Sequence, residues 1–148
     1  MGSITNDGHE SGSSTFAKEG LALLIGSDQW RDTVDWYVRG DPGSELVRCV
    51  LWLLQPKAAR DRCFEVWRSD AKILDRRVAV GLLRWLATPA DLPVIREMLD
   101  DDDHDIRMWA LSAIEQMAYN DKVTLSEVEP LLATVLSGND DDLHPRCA

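Results

Sequence analysis

A short pattern recurs along this chain at an interval of about 30 residues, the length of one helical hairpin. Its copies are Arg76-x-x-Ala79-x-x-Leu82-Leu83-x-x-Leu86, Arg107-x-x-Ala110-x-x-Ala113-Ile114-x-x-Met117 and a shorter one, Arg48-x-x-Leu51-x-x-Leu54. Apolar residues three and four positions apart lie on one face of an α-helix. The repeat therefore predicts similar helical units that stack and bury their apolar faces against one another.

The rest of the sequence also predicts helices. From Phe16 onward the apolar residues keep helical spacing, and no stretch alternates as a β-strand does. Turn and capping residues divide the chain at short intervals, for example Gly40-Asp41-Pro42-Gly43 and Thr88-Pro89. These breaks predict helices over residues 16–25, 29–39, 44–55, 58–68, 72–87, 91–99, 105–119 and 125–137. With such short connections, each helix is expected to pack mainly on its sequence neighbours.

The repeated unit is a helix, an Asp-rich turn, a second helix that opens near an arginine, and a proline-containing link. It resembles the HEAT-like repeat first noted in phycobilin lyases, most closely over residues 87–118. The middle unit departs from the pattern, because Asp75 stands where an aliphatic residue is expected before the arginine. The resemblance spans about residues 16–137. It implies an all-α fold, a short right-handed α-solenoid of about four helical hairpins.

The two ends of the sequence differ from this repeat domain. Residues 1–15 are small and polar and lack the apolar core of a secretory signal, so we expect a flexible N-terminal tail and a cytoplasmic protein. Residues 138–148 are expected to form a C-terminal tail. The three cysteines are expected to be reduced, with Cys49 and Cys63 buried in apolar helical patterns. No apolar run is long enough to span a membrane.

The charge of the chain favours a protein partner. The net charge of −10 opposes general binding to nucleic acids or anionic membranes. The charge is uneven, since residues 57–84 are rich in lysine and arginine whereas residues 85–148 are strongly acidic. A surface with both signs of charge is suited to steering another protein, here one with a basic surface.

Metal sites and catalytic motifs are not indicated. Asp101, Asp103 and Asp105 have the spacing of a calcium loop, but Ile106 and Ser112 stand where that loop needs Gly and Glu. No histidines or cysteines are spaced as zinc ligands on one helix, and no nucleophile or phosphate-binding motif is present. We therefore predict a protein that is not an enzyme and has no cofactor and no metal.

The partner-binding surface is predicted from the repeat register. In an α-solenoid the second helix of each hairpin lines the concave face, so residues opposite the core positions face the partner. Trp36 is added because it lies off the apolar stripe of its helix, and the Asp-rich turn because capping alone does not require so many carboxylates. The predicted residues are Trp36, Arg77, Arg84, Asp100, Asp101, Asp102, Asp103, Met108, Ser112, Glu115 and Tyr119.

The same residues also have structural interpretations. Trp36 could instead pack on the N-terminal tail or on the next helix, and the Asp-rich turn could cap a helix. The repeated arginines Arg48, Arg76 and Arg107 are expected to pair with turn aspartates and to lock neighbouring repeats together. The indoles of Trp30, Trp67 and Trp109 are expected in the core.

The preferred functional hypothesis is non-catalytic protein binding by an inhibitor of the immunity-protein kind, which neutralises a toxin or effector enzyme. An adaptor that bridges two proteins is the main alternative. Because HEAT-like arrays include bilin lyases and DNA glycosylases, an enzymatic role is a third hypothesis. The acidic charge argues against the glycosylase, and the absence of a Cys–His or Cys–Asp arrangement argues against the lyase.

Overall fold

The computed structural model describes residue 20 and residues 23–137. Every regular element in this part of the chain is helical, and residues 23–137 contain no β-strand. The all-α prediction is therefore confirmed. The predicted tails, residues 1–15 and 138–148, lie outside the described residues, as does most of the predicted helix over 16–25.

Seven α-helices follow one another between residues 27 and 137. They are α1 (Ser27–Val38), α2 (Ser44–Leu54), α3 (Lys57–Arg68), α4 (Ile73–Leu86), α5 (Leu92–Leu99), α6 (His104–Tyr119) and α7 (Leu125–Ser137), with a 3₁₀ turn at Pro89–Asp91 before α5. Each boundary lies within about two residues of its predicted position, which is the usual spread of such assignments. Residues 23–25 are also helical.

Polar side chains explain where several of these helices begin. The carboxylate of Asp103 accepts a hydrogen bond of 3.1 Å from the backbone N–H of Ile106 and caps α6. At the start of α7, the backbone N–H of Thr124 donates to Glu127 Oε2 at 2.7 Å. Gln55 adopts a left-handed conformation, with φ of 46°, and ends α2 immediately before Pro56. These local features begin or end the short helices at the predicted breaks.

The helices pack as successive pairs. The members of the pairs α1–α2, α3–α4 and α5–α6 contact each other. The first helices α1 and α3 also touch, and the second helices contact in the order α2, α4, α6, with the closest association between α4 and α6. Each pair thus rests on the pair that follows it.

The buried core follows the repeat register. The eight predicted core positions of α4 and α6 are all buried: Ala79, Leu82, Leu83, Leu86, Ala110, Ala113, Ile114 and Met117. Trp30 and Trp67 are also buried, as expected. Because these positions recur on one face of each helix, the apolar surfaces of α4 and α6 close on each other.

Two predicted core residues lie at the surface instead. The prediction for Trp109 is wrong, since this residue is 40% exposed. It lies at the edge of the buried stripe of α6, so its indole leaves the core and rests over Gly81 of α4. Cys49 is exposed as well, whereas Cys63 is buried, because the described helices cover only one side of α2.

Candidate functional site

A cleft of about 490 Å³ lies along the second helices of the pairs, α2, α4 and α6, on their solvent-facing side. Its walls combine guanidinium groups with aromatic rings, contributed by four different helices. The lining residues are Tyr37, Arg48, Arg77, Val78, Gly81, Arg84, Trp85 and Trp109. Those on α4 lie on the side of the helix opposite its buried core positions.

Trp85 lies at the centre of the aromatic part of this cleft. The guanidinium carbon of Arg84 is 4.9 Å from the Trp85 ring centroid, and that of Arg48 is 5.4 Å from it. Both distances are within the range of cation–π contacts. The ring of Trp52 approaches that of Trp85 edge-on, with centroids 5.8 Å apart and planes inclined by 63°. These contacts join α2 to α4 and fix the position of the indole.

The three arginines of the cleft differ in their electrostatic partners. Arg77 contacts the carboxylates of Asp103 at 2.7 Å and Asp105 at 2.8 Å. Arg48 contacts Glu45 at 2.8 Å, although that carboxylate is 78% exposed. Arg84 has no carboxylate partner among the described side chains, and its Nε is buried without a hydrogen bond.

Gly81 lies where the α4 wall of the cleft meets the α6 wall. An added methyl group here would lie 3.6 Å from the indole of Trp109, an ordinary van der Waals distance. Alanine is therefore sterically acceptable at this helical position, whereas a longer side chain would enter the cleft. Replacement of Gly81 by a larger apolar residue can thus fill the cleft without changing its charge.

The Asp-rich turn has a structural role at two of its positions. Asp101 accepts hydrogen bonds from Trp67 Nε1 at 2.8 Å and from Arg76 Nη2 at 3.1 Å. Asp103 accepts from Arg77, and this hydrogen bond, with that from the Ile106 amide, holds the pKa of its carboxyl below the ordinary value. In contrast, Asp100 and Asp102 are exposed.

The repeated arginines therefore differ from one another. The prediction that a repeated arginine pairs with a turn aspartate of the same or the next unit is confirmed for Arg76, which contacts Asp101 of the next unit. Arg107 donates instead to the backbone carbonyls of Asp101 and Asp102, at 3.0 and 3.1 Å, and so fixes the turn within its own unit. Arg48 bonds Glu45 on its own helix and contacts Trp85.

The other predicted site residues lie on two helices. On α6, Met108, Glu115 and Tyr119 are exposed and Ser112 is half-buried, and their spacing places them along one side of the helix. Trp36 on α1 is 43% exposed, and its Nε1 donates to the Pro42 carbonyl at 3.3 Å. The structure brings Arg77 and Arg84 together in the cleft.

Sequence reasoning missed most of the cleft. The lining residues that were not among the predicted partner-binding residues are Tyr37, Arg48, Val78, Gly81, Trp85 and Trp109. Trp85 carried a usable signal, because it lies beside Arg84 and off the apolar stripe of α4. The approach of Arg48 and Trp109 from other helices leaves no comparable local pattern.

The basic segment, residues 57–84, also connects helix pairs. Arg62 contacts Asp35 at 2.9 Å, which joins α3 to α1. Arg60 contacts Asp91 at 3.1 Å, which joins α3 to the 3₁₀ turn, and both side chains are only 13% exposed. Much of the positive charge in this segment therefore faces carboxylates of neighbouring units. The separation of positive and negative regions on the surface is correspondingly weaker than the sequence suggests.

Two further observations concern metals and membranes. Within the part of the chain that the structure describes, no cluster of three or more His, Cys, Asp or Glu side chains could hold a metal ion. None of the helices in that part is both long and apolar enough to cross a bilayer.

Comparisons of the chain with protein-family models, with curated proteins and with solved structures found no significant match.

Proposed function

We propose that this chain is a non-catalytic protein-binding module, built as a short right-handed α-solenoid of HEAT-like hairpins. Three helix pairs in successive contact support this arrangement, together with the regular order of α2, α4 and α6. The arginine register supports it too, since Arg76 and Arg107 begin their helices at equivalent positions and both bind the Asp-rich turn.

The observation that carries the binding role is the cleft around Trp85. Trp, Tyr and Arg are the residue types that contribute most often to the energetic centres of protein interfaces. Here they line a cleft in which Trp109 remains 40% exposed, and Trp52, which contacts Trp85 but does not line the cleft, is 51% exposed. Met108, next to Trp109, is also 40% exposed and extends the apolar surface along α6.

Within this class we propose an inhibitor of the immunity-protein kind, whose partner is an enzyme with a basic surface. The net charge of −10 favours rapid association with a basic protein. Asp100, Asp102 and Glu115 are exposed on α6 or on the turn that precedes it. Their negative charges have no ion-pair partner among the described residues and so remain available to a basic protein.

An adaptor that bridges two proteins is a second candidate, favoured by a separate apolar surface on α2. Leu46, Val50 and Leu53 are 71%, 38% and 57% exposed and recur at helical spacing. They lie on the side of α2 away from Leu51, which is buried. A chain with two such surfaces could hold two partners at once.

The test is affinity capture from the native host, followed by size-exclusion chromatography of the captured complex. Gly81→Leu is expected to abolish capture because the new side chain fills the cleft, whereas the matched Gly81→Ala variant should retain it. One stoichiometric enzyme whose activity falls on binding would support the inhibitor. Equal capture by both variants would show that the cleft is not the binding surface.

A further variant separates the two candidate functions. Leu53→Lys places a charge on the exposed side of α2, away from the cleft. An adaptor would lose one of two captured proteins while the other remains bound. An inhibitor that uses the cleft alone would keep its single partner.

A further inference from the structure

We propose that Arg84 receives a carboxylate that the partner protein presents beside an aromatic or other apolar side chain. This inference rests on the proposed protein-binding function and specifies the chemistry at its centre. It starts from the different environments of the arginines that line the cleft.

Arg84 is the arginine of the cleft whose charge the fold leaves uncompensated. Arg77 has two aspartates within 2.8 Å, and Arg48 has Glu45 at 2.8 Å. No described carboxylate contacts Arg84, and its buried Nε lacks an acceptor. A guanidinium that is partly removed from water without a counter-charge is unfavourable until an anion neutralises it.

Arg60 and Arg107 also have a buried Nε but do not share this property. Arg60 has the carboxylate of Asp91 at 3.1 Å, and Arg107 donates through Nη1 to two backbone carbonyls. Their charge is therefore balanced or solvated by the fold itself. Arg84 lines the wall of an open cleft and its terminal Nη groups are not among the buried nitrogens, so these are the donors that a ligand can reach.

The contact with Trp85 orients the guanidinium of Arg84 for binding an anion. A guanidinium that stacks on an aromatic ring keeps its N–H groups directed outward in the guanidinium plane, where a carboxylate binds with two parallel hydrogen bonds. The cation–π contact also holds the side chain in place, so less conformational entropy is lost on binding.

The other residues of the cleft favour an apolar ligand side chain next to the carboxylate. Tyr37, Val78 and Trp109 offer aromatic and aliphatic surface around the guanidinium groups. A neighbouring apolar side chain of the ligand would bury surface against them. Nucleic acid is disfavoured, because a polyanion needs many uncompensated cations whereas the chain has a net charge of −10.

The probes are two blocked dipeptides, N-acetyl-Asp-Phe-amide and N-acetyl-Asn-Phe-amide, which differ only in the carboxylate. Binding is followed by the indole N–H resonances of the full-length ¹⁵N-labelled protein, with those of Trp85 and Trp109 assigned by substitution. We expect the Asp peptide to shift both resonances and to bind about tenfold more tightly than the Asn peptide, as a charge-assisted hydrogen-bonded pair should.

Three variants make the test specific to Arg84. Arg84→Gln should remove the difference between the two peptides, and Arg84→Lys should restore part of it, because the charge returns without the planar donor edge. Lys72→Gln is the control, since Lys72 is an exposed cation outside the cleft. Each variant is first shown to have the wild-type far-UV circular dichroism and urea midpoint.

Three results would overturn the inference: equal affinities for the two peptides, no binding of either one, or unchanged discrimination in Arg84→Gln. Tighter binding of phenyl phosphate than of the Asp peptide would also overturn it, because the preferred anion would then be a phosphate. Capture of a partner by Arg84→Gln at wild-type levels would refute the role of Arg84 and leave protein binding intact. The same conclusion would follow if Gly81→Leu lost capture while Arg84→Gln retained it.

Discussion

The guanidinium of Arg77 in α4 and the carboxylate of Asp103 before α6 form two parallel hydrogen bonds. Nε lies 3.0 Å from Oδ1 and Nη2 lies 2.7 Å from Oδ2. Asp103 Oδ1 also accepts from the Ile106 amide at 3.1 Å. One carboxylate therefore fixes both the start of α6 and its position against α4, where the largest contact between helices occurs.

Replacement of Asp103 should destabilise the fold. Asp103→Ala removes the helix cap and the contact with Arg77 together, and we expect a loss of about 1 to 2 kcal/mol in the free energy of unfolding. Urea denaturation followed by circular dichroism measures it. Asp102→Ala is the matched control, because Asp102 is exposed one position earlier. Equal losses in the two variants would contradict the special role of Asp103.

Stability should decline in acid. Hydrogen bonds from Arg77 and Arg31 lower the pKa of Asp103 and Glu65, respectively, in the folded chain. Each carboxyl then binds fewer protons folded than unfolded, so its contribution is complete above the unfolded-state pKa, about 3.9 for Asp and about 4.3 for Glu. That contribution disappears as the pH falls through the lower folded-state pKa.

The measurement is the urea midpoint between pH 6 and the acid limit of folding, on the order of pH 2 to 3. The double variant Asp103→Asn, Glu65→Gln should show a shallower decline than the wild type, with Asp102→Asn as the control. A decline of the same steepness in the double variant would assign the acid sensitivity to other carboxyl groups.

The contact between Trp67 and Asp101 should stabilise the junction of the second and third helix pairs. Trp67 is only 7% exposed, and its Nε1 donates to Asp101 Oδ2 at 2.8 Å. Trp67→Phe removes this donor and part of the ring, so we expect a loss of about 1 to 3 kcal/mol. Trp36→Phe should cost much less, since Trp36 is 43% exposed. Thermal unfolding of both variants tests this, and equal shifts in Tm would contradict it.

Two cysteines should react with thiol reagents at very different rates. Burial raises the pKa of the Cys63 thiol, and Cys63 is fully inaccessible, whereas Cys49 is exposed on α2. In a Cys147→Ser background, Ellman's reagent should modify one thiol rapidly and the other only on unfolding. Cys49→Ser should remove the fast phase. Rapid modification of two thiols in native protein would show that the α3 region opens.

The sequence was sufficient to predict the helices and most of the core. Helical spacing of apolar residues and the turn residues between them are local features, so α1 to α7 could be placed closely. The repeat register likewise identified the buried faces of α4 and α6, because equivalent positions in stacked units face the same neighbours.

The cleft was only partly predictable. Arg77 and Arg84 followed from the register, since they lie opposite the core positions of α4. Arg48 and Trp109 reach Trp85 and Gly81 from helices more than twenty residues away in sequence, and side-chain packing between helices determines those approaches.

Sequence by itself determined the secondary structure, the charge and the periodic core, because these depend on the order of residues along one chain segment. Only the tertiary structure decided which charges remain available. Asp101 and Asp103 are adjacent to Asp100 and Asp102 in an almost uniform acidic run, yet the first two bind Trp67, Arg76 and Arg77 while the other two face solvent. An ion pair depends on the distance between groups from different helices, and that distance is set when the helix pairs pack.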